Sequence, residues 1–325
     1  MSAWQKFEIR SFTTADVPAA GRLLAVRHAA HRRAEPLLSA RYEDPAAAVA
    51  EVEAALGAGA TGAVAVDDGE LTGYLLGQSK EAPAWGPNVW VESAGQAVTQ
   101  AETVRDLYAA AAPAWVERGL DAHYALVPAS DAALVDAWFR LGFGQQHVHG
   151  IREVPETGTL DLPPGVVVRR AERSDIPVLA QLDLALPQHQ ALAPTFSPGD
   201  VMTLEEAIAD WEESFDDEGF TYLVAEHAGR VIGVAVGCAL EKSRGHTGLA
   251  RPDHAGFLGF AAVLPEARGL GAGRAVGEAV LAWTAKSGFT SAVADWRATN
   301  LLSSRTWPRL GFRPSFLRLH RRLGY

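Results

Sequence analysis

The chain has 325 residues, of which 48% are hydrophobic, and a formal net charge of −10. This length allows one large or two medium domains, and the acidic balance argues against nucleic acid as a general partner. No apolar stretch reaches the roughly 18 residues that a membrane span needs, and the N-terminus lacks the apolar core of a signal peptide, so we expect a cytoplasmic protein with no membrane partner.

Three segments occur twice in the chain in the same order, which indicates an internal repeat. FEIRSFTTADVP matches VVVRRAERSDIP, AVAVDDGELTGYLLG matches LVAEHAGRVIGVAVG, and DAALVDAWFRLGFG matches NLLSSRTWPRLGFR. The middle pair predicts two strands joined by a tight turn, at Asp68-Gly69 in the first copy and at Ala228-Gly229 in the second. We therefore predict two copies of one fold.

A segment rich in proline and glycine, VPETGTLDLPPG, separates the two copies. It has no helical periodicity, so we interpret it as a linker. We place the boundary near Thr157 to Leu162, which gives a first domain over residues 1–157 and a second over residues 163–325.

The second copy shows a clear succession of strand and helix patterns. We predict helices over Ser174–Leu186 and Met202–Ser214, a hairpin over Thr221–Glu241, a strand over Gly256–Val263, a helix over Leu270–Lys286, a strand over Ser291–Arg297 and a short helix from Asn300. Mixed strands with helices on both faces are typical of an α/β fold (α+β with a mixed sheet).

The turn PEARGLGAGR, over Pro265–Arg274, lies between a predicted strand and a predicted helix. A helix N-terminus has unpaired N–H groups and a partial positive charge, and glycines let a phosphate approach them. Arg268 and Arg274 add full positive charges, so the turn predicts a pyrophosphate site. GxxxxGK[ST] is absent and the context does not fit GxGxxG, which excludes a P-loop and disfavours a dinucleotide-binding fold.

VLPEARGLGAG, over Val263–Gly273, resembles the R/Q-x-x-G-x-G/A motif of the GCN5-related N-acetyltransferase (GNAT) superfamily with its V-x-P-E-x-R-G lead-in. Asn300, Ser303, Trp307 and Gly311-Phe312 stand where that superfamily has N-x-x-A-x-x-x-Y-x-x-x-G-F. The resemblance covers the whole second half, and the first half resembles an eroded second copy. It implies two tandem GNAT-like acyl-CoA N-acyltransferase domains.

The resemblance also implies that acetyl-CoA, a co-substrate, binds in the second half between two splayed strands. The backbone near Ala262 and Val263 would hold pantetheine and polarise the thioester carbonyl, and Asn300 would bind the pantetheine arm or an ordered water. The complete set of expected cofactor-binding residues is Ala262, Val263, Arg268, Gly269, Leu270, Gly271, Ala272, Gly273, Arg274, Asn300 and Ser303.

The first copy has QAVTQAETVR where the second has its glycine-rich turn. The alignment sets Glu102 opposite Gly271 and Val104 opposite Gly273, and only Arg105, opposite Arg274, is retained. Side chains would fill the phosphate site and Glu102 would repel a pyrophosphate. We predict that the first copy is structural: it completes an interface, and one wall of the acceptor pocket is a further candidate role.

The acid and base of the reaction are less clearly indicated. Trp307 stands where the superfamily often has a tyrosine that protonates the thiolate; because an indole N–H does not ionise usefully, we expect Trp307 to pack. The strand GFLGFAAV contains no carboxylate, so the nearest candidate bases are Glu241, Asp253 and His254, of which we favour His254.

His189 lies where the superfamily builds its acceptor lid, but His31 matches it in the first copy, so a structural role shared by both histidines is the alternative. We expect no metal, because no His or Cys–His cluster with ligand spacing is present apart from His28 and His31, which lie in the eroded first copy.

The leading functional hypothesis is N-acetyl transfer from acetyl-CoA to a primary amine of a small molecule, by direct attack in a ternary complex. The alternatives are a non-catalytic CoA-binding or regulatory module, and an acyltransferase that uses another acyl-CoA or a hydroxyl acceptor. We expect the chain to be a monomer or homodimer.

Overall fold

The structure is a computed structural model that describes residues 8–80, 86–155, 160–197, 202–243 and 245–324. The predicted linker boundary near Thr157 to Leu162 lies partly outside the described residues, which do not include 156–159. No described helix is both long enough and apolar enough to cross a membrane.

The first half of the sequence contains these elements: β1 (Glu8–Ser11), α1 (Val17–Ala34), α2 (Pro45–Gly57), β2 (Thr61–Asp67), β3 (Glu70–Gly77), β4 (Asn88–Val91), β5 (Gln96–Val98), α3 (Thr103–Glu117), β6 (Ala122–Pro128), α4 (Ala132–Arg140) and β7 (Gly144–Glu153).

The second half repeats this succession: β8 (Val166–Arg170), α5 (Ile176–Ala191), α6 (Leu204–Ser214), β9 (Phe220–His227), β10 (Arg230–Ala239), β11 (Ala255–Val263), α7 (Ala272–Lys286), β12 (Ser291–Arg297), α8 (Leu301–Arg309) and β13 (Arg313–Arg322). Every element predicted in this half is present, and the mixed α/β class is confirmed. Helix α5 ends at Ala191, five residues beyond the predicted end at Leu186. Pro187 lies inside the helix and does not terminate it.

The chain divides into two compact units. One comprises Met1–His147, Thr247–Arg251 and Pro314–Tyr325, and the other comprises Val148–His246 and Pro252–Arg313. Each unit therefore takes its last strand from the other half of the sequence: almost all of β13 belongs to the first unit, and the end of β7 belongs to the second.

In the first unit, one sheet has the strand order β1-β2-β3-β5. Strands β4, β6 and β13 lie side by side in a second group, where β4 and β6 are parallel and β13 pairs antiparallel to β6. The core beneath the first sheet is formed by apolar side chains of α1, α2, β2 and β3, among them Leu24, Val52, Val64 and Leu76.

In the second unit, the strand order is β7-β12-β11-β10-β9-β8. Helix α7 covers one face through buried small and branched residues, Ala275, Val276, Ala279 and Val280. It approaches the sheet at a glycine, since a Cβ on Gly256 would lie 2.5 Å from Thr284 Cγ2. Close helix packing thus depends on the small residues of both surfaces.

The two halves repeat local interactions as well as element order. Arg10 binds Asp16 with both terminal nitrogens (2.8 and 2.6 Å), and Arg169 binds Asp175 in the same way (2.7 and 3.0 Å). Both hairpin turns have two successive residues with positive φ, 49° and 83° at Asp68-Gly69 and 51° and 75° at Ala228-Gly229. Two positive φ values define the tight turn that the sequence predicted.

Candidate active site

The second unit contains a cavity of about 550 Å³ at the C-terminal end of β11 and the N-terminal end of α7. Ten of the residues expected to bind the cofactor line it: Ala262, Val263, Arg268, Gly269, Gly271, Ala272, Gly273, Arg274, Asn300 and Ser303. Leu270, the remaining one, is not among the lining residues and its side chain is exposed. The cavity also includes one face of α5, with Leu186 and His189.

Strands β11 and β12 separate beside this cavity. Their parallel pairing runs from Ala255 opposite Ser291 to Leu258 opposite Ala294 and then stops. The antiparallel pairing of β11 with β10 continues to Val263, after a bulge that leaves Gly259 without an opposite residue. Bulges bend a strand and increase its twist, so β11 turns away from β12 and one of its edges is left for a ligand.

The glycine-rich turn forms the N-terminal entry to α7. Gly269 and Gly271 have φ values of 92° and 84°, a conformation that glycine adopts without the strain of a side chain. Gly271 is the residue that caps α7, and no side chain caps this end of the helix in the described part of the chain. The first backbone N–H groups of a helix have no partner within the helix, so those of Ala272, Gly273 and Arg274 are directed at the cavity end.

Three arginines line the cavity, namely Arg268, Arg274 and Arg309. Arg274 is held by two carboxylates, Asp161 Oδ2 at 2.7 Å and Glu278 Oε1 at 2.6 Å. The side-chain hydrogen bond to Glu278, followed by that to Asp161, raises the pKa of Arg274. The backbone N–H of Arg268 donates to the carbonyl oxygen of Pro265 (3.4 Å), whereas its guanidinium group makes no hydrogen bond or ion pair with a described residue. The sequence analysis missed Arg309, because only the orientation of α8 brings it to the cavity.

Asn300 begins α8 and is nearly fully buried. Its side-chain oxygen accepts hydrogen bonds from the backbone N–H groups of Leu302 (3.1 Å) and Ser303 (3.4 Å). A side-chain oxygen that caps a helix in this way stabilises it by about 1 kcal/mol. Since the oxygen is engaged, a role of Asn300 toward a ligand would belong to its amide NH₂ group.

Trp307 is 6% exposed and packs against α7 and Phe312. A Cβ on Gly277 would lie 3.1 Å from its ring, and the ring meets Phe312 edge-on with centroids 6.5 Å apart. Trp138 is fully buried at the matching position of the first half and contacts Phe143 edge-on at 4.7 Å. The same packing in both halves supports the structural interpretation of Trp307.

The two predicted catalytic residues lie at the other end of β11. His254 immediately precedes this strand and is exposed, and Glu241 follows β10, which runs antiparallel to it. Neither lines the cavity. A strand of this length spans roughly 26 Å, at about 3.3 Å per residue. Their catalytic assignment stays a prediction, and their position weighs against it.

The corresponding region of the first unit is filled by its own side chains. Glu102 occupies the cap position of α3, where α7 has Gly271, and it accepts hydrogen bonds from Arg105 (2.5 Å) and Arg140 (2.7 Å). Arg27 stands where the repeat places Leu186 in the second copy. It is buried and donates to the carbonyl oxygens of Gln96 and Ser93, both at 2.7 Å. Burial lowers the pKa of Arg27, and the two carbonyls compensate part of its lost hydration.

Comparisons with known proteins agree with this architecture. Residues 187–312 match the acetyltransferase (GNAT) family model. A GCN5-related N-acetyltransferase from Sphaerobacter thermophilus superimposes with a TM-score of 0.57 at 17% identity, over 98% of this chain and 97% of that one. A tandem GNAT protein from the clavulanic acid biosynthesis pathway superimposes with a TM-score of 0.50 at 15% identity, over 98% and 99% of the two chains.

A third structure is the glucosamine N-acetyltransferase region of a fungal multi-domain β-N-acetylglucosaminidase. It superimposes with a TM-score of 0.51 at 17% identity and covers 98% of this chain and 38% of that one. At these identities the structural similarity establishes the fold. The comparison with curated proteins found no match.

Proposed function

From a GNAT-family domain in the second half of the chain and the tandem GNAT fold of the whole, we propose an enzymatic function. The protein transfers an acetyl group from acetyl-CoA to a primary amine of a small molecule. The observation that carries the proposal is the cavity that joins three features: the separated edge of β11, the uncapped N-terminus of α7 and a group of arginines. These features suit the three parts of an acyl-CoA, namely its amides, its pyrophosphate and its further phosphate charge.

The pyrophosphate would bind at the glycine-rich turn. The N–H groups at the start of α7 offer hydrogen bonds and the partial positive charge of the helix end. Arg268 offers a charge that no described carboxylate neutralises, whereas Arg274 would exchange Asp161 for phosphate oxygens. Positive φ at Gly269 and Gly271 directs the backbone toward the anion without a Cβ in the way.

The pantetheine arm would run along β11 beyond Leu258, where the pairing with β12 has ended. Amides of the arm can pair with backbone groups of Ala262 and Val263, as a further strand would. Acetyl-CoA supplies an activated thioester. A backbone N–H group on this edge that donates to the thioester oxygen would stabilise the negative charge that develops there during attack.

The chemical step joins the amine nitrogen to the acetyl carbon and breaks the carbon–sulfur bond, and the amine loses a proton. Among the titratable side chains that line the cavity, His189 on α5 is the imidazole, the side-chain type best suited to accept a proton near neutral pH. We propose His189 as the proton acceptor, directly or through water. The thiolate leaves without an acid from Trp307, since an indole cannot protonate it.

The proposal is tested by turnover. Purified chain is incubated with acetyl-CoA and a panel of small primary amines, while thiol release is followed optically and the acetylated product by mass spectrometry. We expect release with at least one amine, loss of release in Arg268→Glu, and retention in Arg105→Gln, which changes the matching arginine of the first half. CoA binding without thiol release for any amine or hydroxyl acceptor would instead identify a non-catalytic CoA-binding module.

The acyl group and the acceptor atom are decided in the same assay. Replacement of acetyl-CoA by longer acyl-CoAs tests the chain length that the cavity accepts. Replacement of amines by matching alcohols tests for a hydroxyl acceptor, which the cavity would have to activate more strongly because an alcohol is a weaker nucleophile.

A further inference from the structure

The segment that leads into β8, residues 160–165 (the entry segment), lies against the N-terminal end of α7 in the second unit. Asp161 Oδ2 lies 2.7 Å from Arg274 Nη2, and the carbonyl oxygen of Asp161 lies 3.4 Å from the same nitrogen. Two residues further on, Pro163 approaches the glycine-rich turn so closely that its Cγ would lie 2.5 Å from a Cβ at Gly271. The entry segment therefore contacts both a charge and the backbone of the proposed pyrophosphate site.

The ion pair between Asp161 and Arg274 is exposed. The carboxylate of Asp161 has Arg274 as its one partner among the described residues, and the two side chains are 88% and 51% exposed. Ion pairs with this degree of exposure contribute little to stability, because water solvates both charges well once they separate. Asp161 thus offers Arg274 a negative charge, as a phosphate would, in a contact that can be broken at low cost.

The guanidinium group of Arg274 is divided between two carboxylates. Its Nε donates to Glu278 Oε1 (2.6 Å), while its Nη2 donates to Asp161. These two nitrogens lie on one edge of the guanidinium, which can bond a single carboxylate or phosphate through two parallel hydrogen bonds. With Nη2 engaged by Asp161, Glu278 Oε2 is buried and has no hydrogen-bond partner in the described part of the chain. Since a buried oxygen without a donor is unfavourable, Arg274 can give up Asp161 readily.

Asp161 and a phosphate of CoA would compete for Arg274 Nη2. A carboxylate that remained beside the pyrophosphate would also repel it, since like charges a few ångströms apart interact unfavourably even near the protein surface. Binding of CoA at this end of the cavity therefore requires that Asp161 withdraw. The cost of that withdrawal lowers the observed affinity for CoA.

We propose that the entry segment makes an autoinhibitory contact with the CoA site. Asp161 holds Arg274 in the free protein, and the pyrophosphate of CoA displaces it. This role rests on the proposed function and adds regulation to the same site. Linkage makes the effect reciprocal, so CoA weakens the hold on the entry segment by the factor by which the segment weakens CoA binding. A partner that drew the segment away from α7 would therefore raise the affinity for CoA.

The test is isothermal titration of the full-length chain with CoA at low ionic strength. Asp161→Asn keeps the shape of the side chain and removes its charge. We expect this variant to bind CoA about twofold to fivefold more tightly than the wild type, which is the range of an exposed ion pair. At about 1 M NaCl, where the Debye length is about 3 Å, the difference between the two proteins should shrink toward zero.

Two controls separate this contact from the overall charge of the protein. Glu213→Gln removes an equal charge from an exposed position on α6 that does not line the cavity, and it should bind CoA as the wild type does. Arg274→Gln removes the cation, so a further Asp161→Asn substitution in that background should leave the affinity unchanged. Thermal unfolding shows whether each variant has folded.

The outcomes separate inhibition by Asp161 from a supporting role. Equal affinities of the wild type and Asp161→Asn would show that Asp161 does not compete with CoA, and the proposal is then wrong. Weaker binding by Asp161→Asn would also overturn it, because Asp161 would then position Arg274 for the phosphates. An equal gain in the Arg274→Gln background would assign the effect to general charge and is a third contrary result. If neither the wild type nor Asp161→Asn binds CoA, the proposed function itself fails, whereas each of the other results leaves it standing.

Discussion

Pro163 lies so close to Gly271 that a Cβ at position 271 would be 2.5 Å from Pro163 Cγ. Position 271, at the cap of α7, is therefore restricted in two ways. The segment that precedes β8 leaves no room for a side chain, and the positive φ disfavours any residue other than glycine. Gly269, two residues earlier, also has positive φ, but no described atom lies within 4 Å of its ideal Cβ. The two glycines are thus a matched pair that separates steric contact from backbone strain.

We expect Gly271→Ala to weaken CoA binding more than Gly269→Ala does. Both substitutions place a side chain at positive φ, which costs about 1 kcal/mol, but only Gly271→Ala also forces the turn away from Pro163. Isothermal titration with CoA measures the difference, and thermal unfolding shows how much of it is lost stability. Equal affinities in the two variants would mean that the contact with Pro163 has no influence on the cofactor site.

The second prediction concerns the number of CoA sites. We expect one CoA per chain, bound in the second half, because Glu102 with its two arginines and the buried Arg27 fill the matching region of the first. Arg268→Glu should weaken CoA binding at least tenfold, which corresponds to about 1.4 kcal/mol, since it replaces a phosphate partner by a repulsive charge. Glu102→Gly with Val104→Gly should create no second site. Two equivalent sites in the titration would contradict the assignment.

The third prediction separates packing from chemistry at Trp307. We expect Trp307→Phe to retain most of the activity, because a smaller aromatic ring can still cover Gly277 and contact Phe312. Trp307→Ala should lower the free energy of unfolding by about 3–5 kcal/mol through the cavity that it opens. Denaturant unfolding and steady-state turnover are measured on both variants. If Trp307→Phe folds and binds CoA but does not turn over, the indole takes part in the chemistry or in acceptor binding.

The fourth prediction is a dependence of stability on acidity. Hydrogen bonds from Arg10 lower the pKa of Asp16 from 3.8 to about 2, and those from Arg169 likewise lower the pKa of Asp175. A lowered pKa in the folded state means that the pair stabilises the protein above the unfolded pKa and that this contribution is lost as the pH falls toward the folded value.

We therefore expect Asp16→Asn and Asp175→Asn to lower Tm at pH 6, with differences from the wild type that shrink between pH 4 and pH 2. Calorimetry over this range provides the measurement, and Glu8→Gln, on the exposed strand β1, serves as a charge-matched control. A difference in Tm that is constant over the whole range would show that the carboxylate charge is not the source of the stabilisation.

Local patterns were sufficient for much of this architecture. The repeats predicted both hairpin turns and the succession of elements, because a tight turn requires particular residues at two positions. The glycine-rich turn was likewise found from sequence, since positive φ and a helix start depend on a few adjacent residues. The family resemblance was needed to predict that this turn lies at one site together with Asn300 and Ser303.

Properties that depend on distant partners were not predicted. Nothing in the sequence of β13 shows that it pairs with β6, because any strand of that pattern could serve either half. The position of His254 could have been inferred: it precedes β11 whereas the glycine-rich turn follows β11, so the length of one strand separates them.

The last prediction follows from the exchanged strands. A fragment of residues 163–325 contains β13 without β6 and β12 without β7, although β6 pairs with β13 and β7 is the neighbour of β12 in the intact chain. Unpaired strand edges associate with other chains, so we expect the fragment alone to be insoluble or self-associated in size-exclusion chromatography. Residues 1–157 supply both β6 and β7, so their co-expression should restore a soluble complex that binds CoA. Residues 1–143 end before β7, so their co-expression should not restore it. A fragment of residues 163–325 that is soluble, monomeric and fully active would show that the exchanged strands are dispensable and that the first half is a separate module.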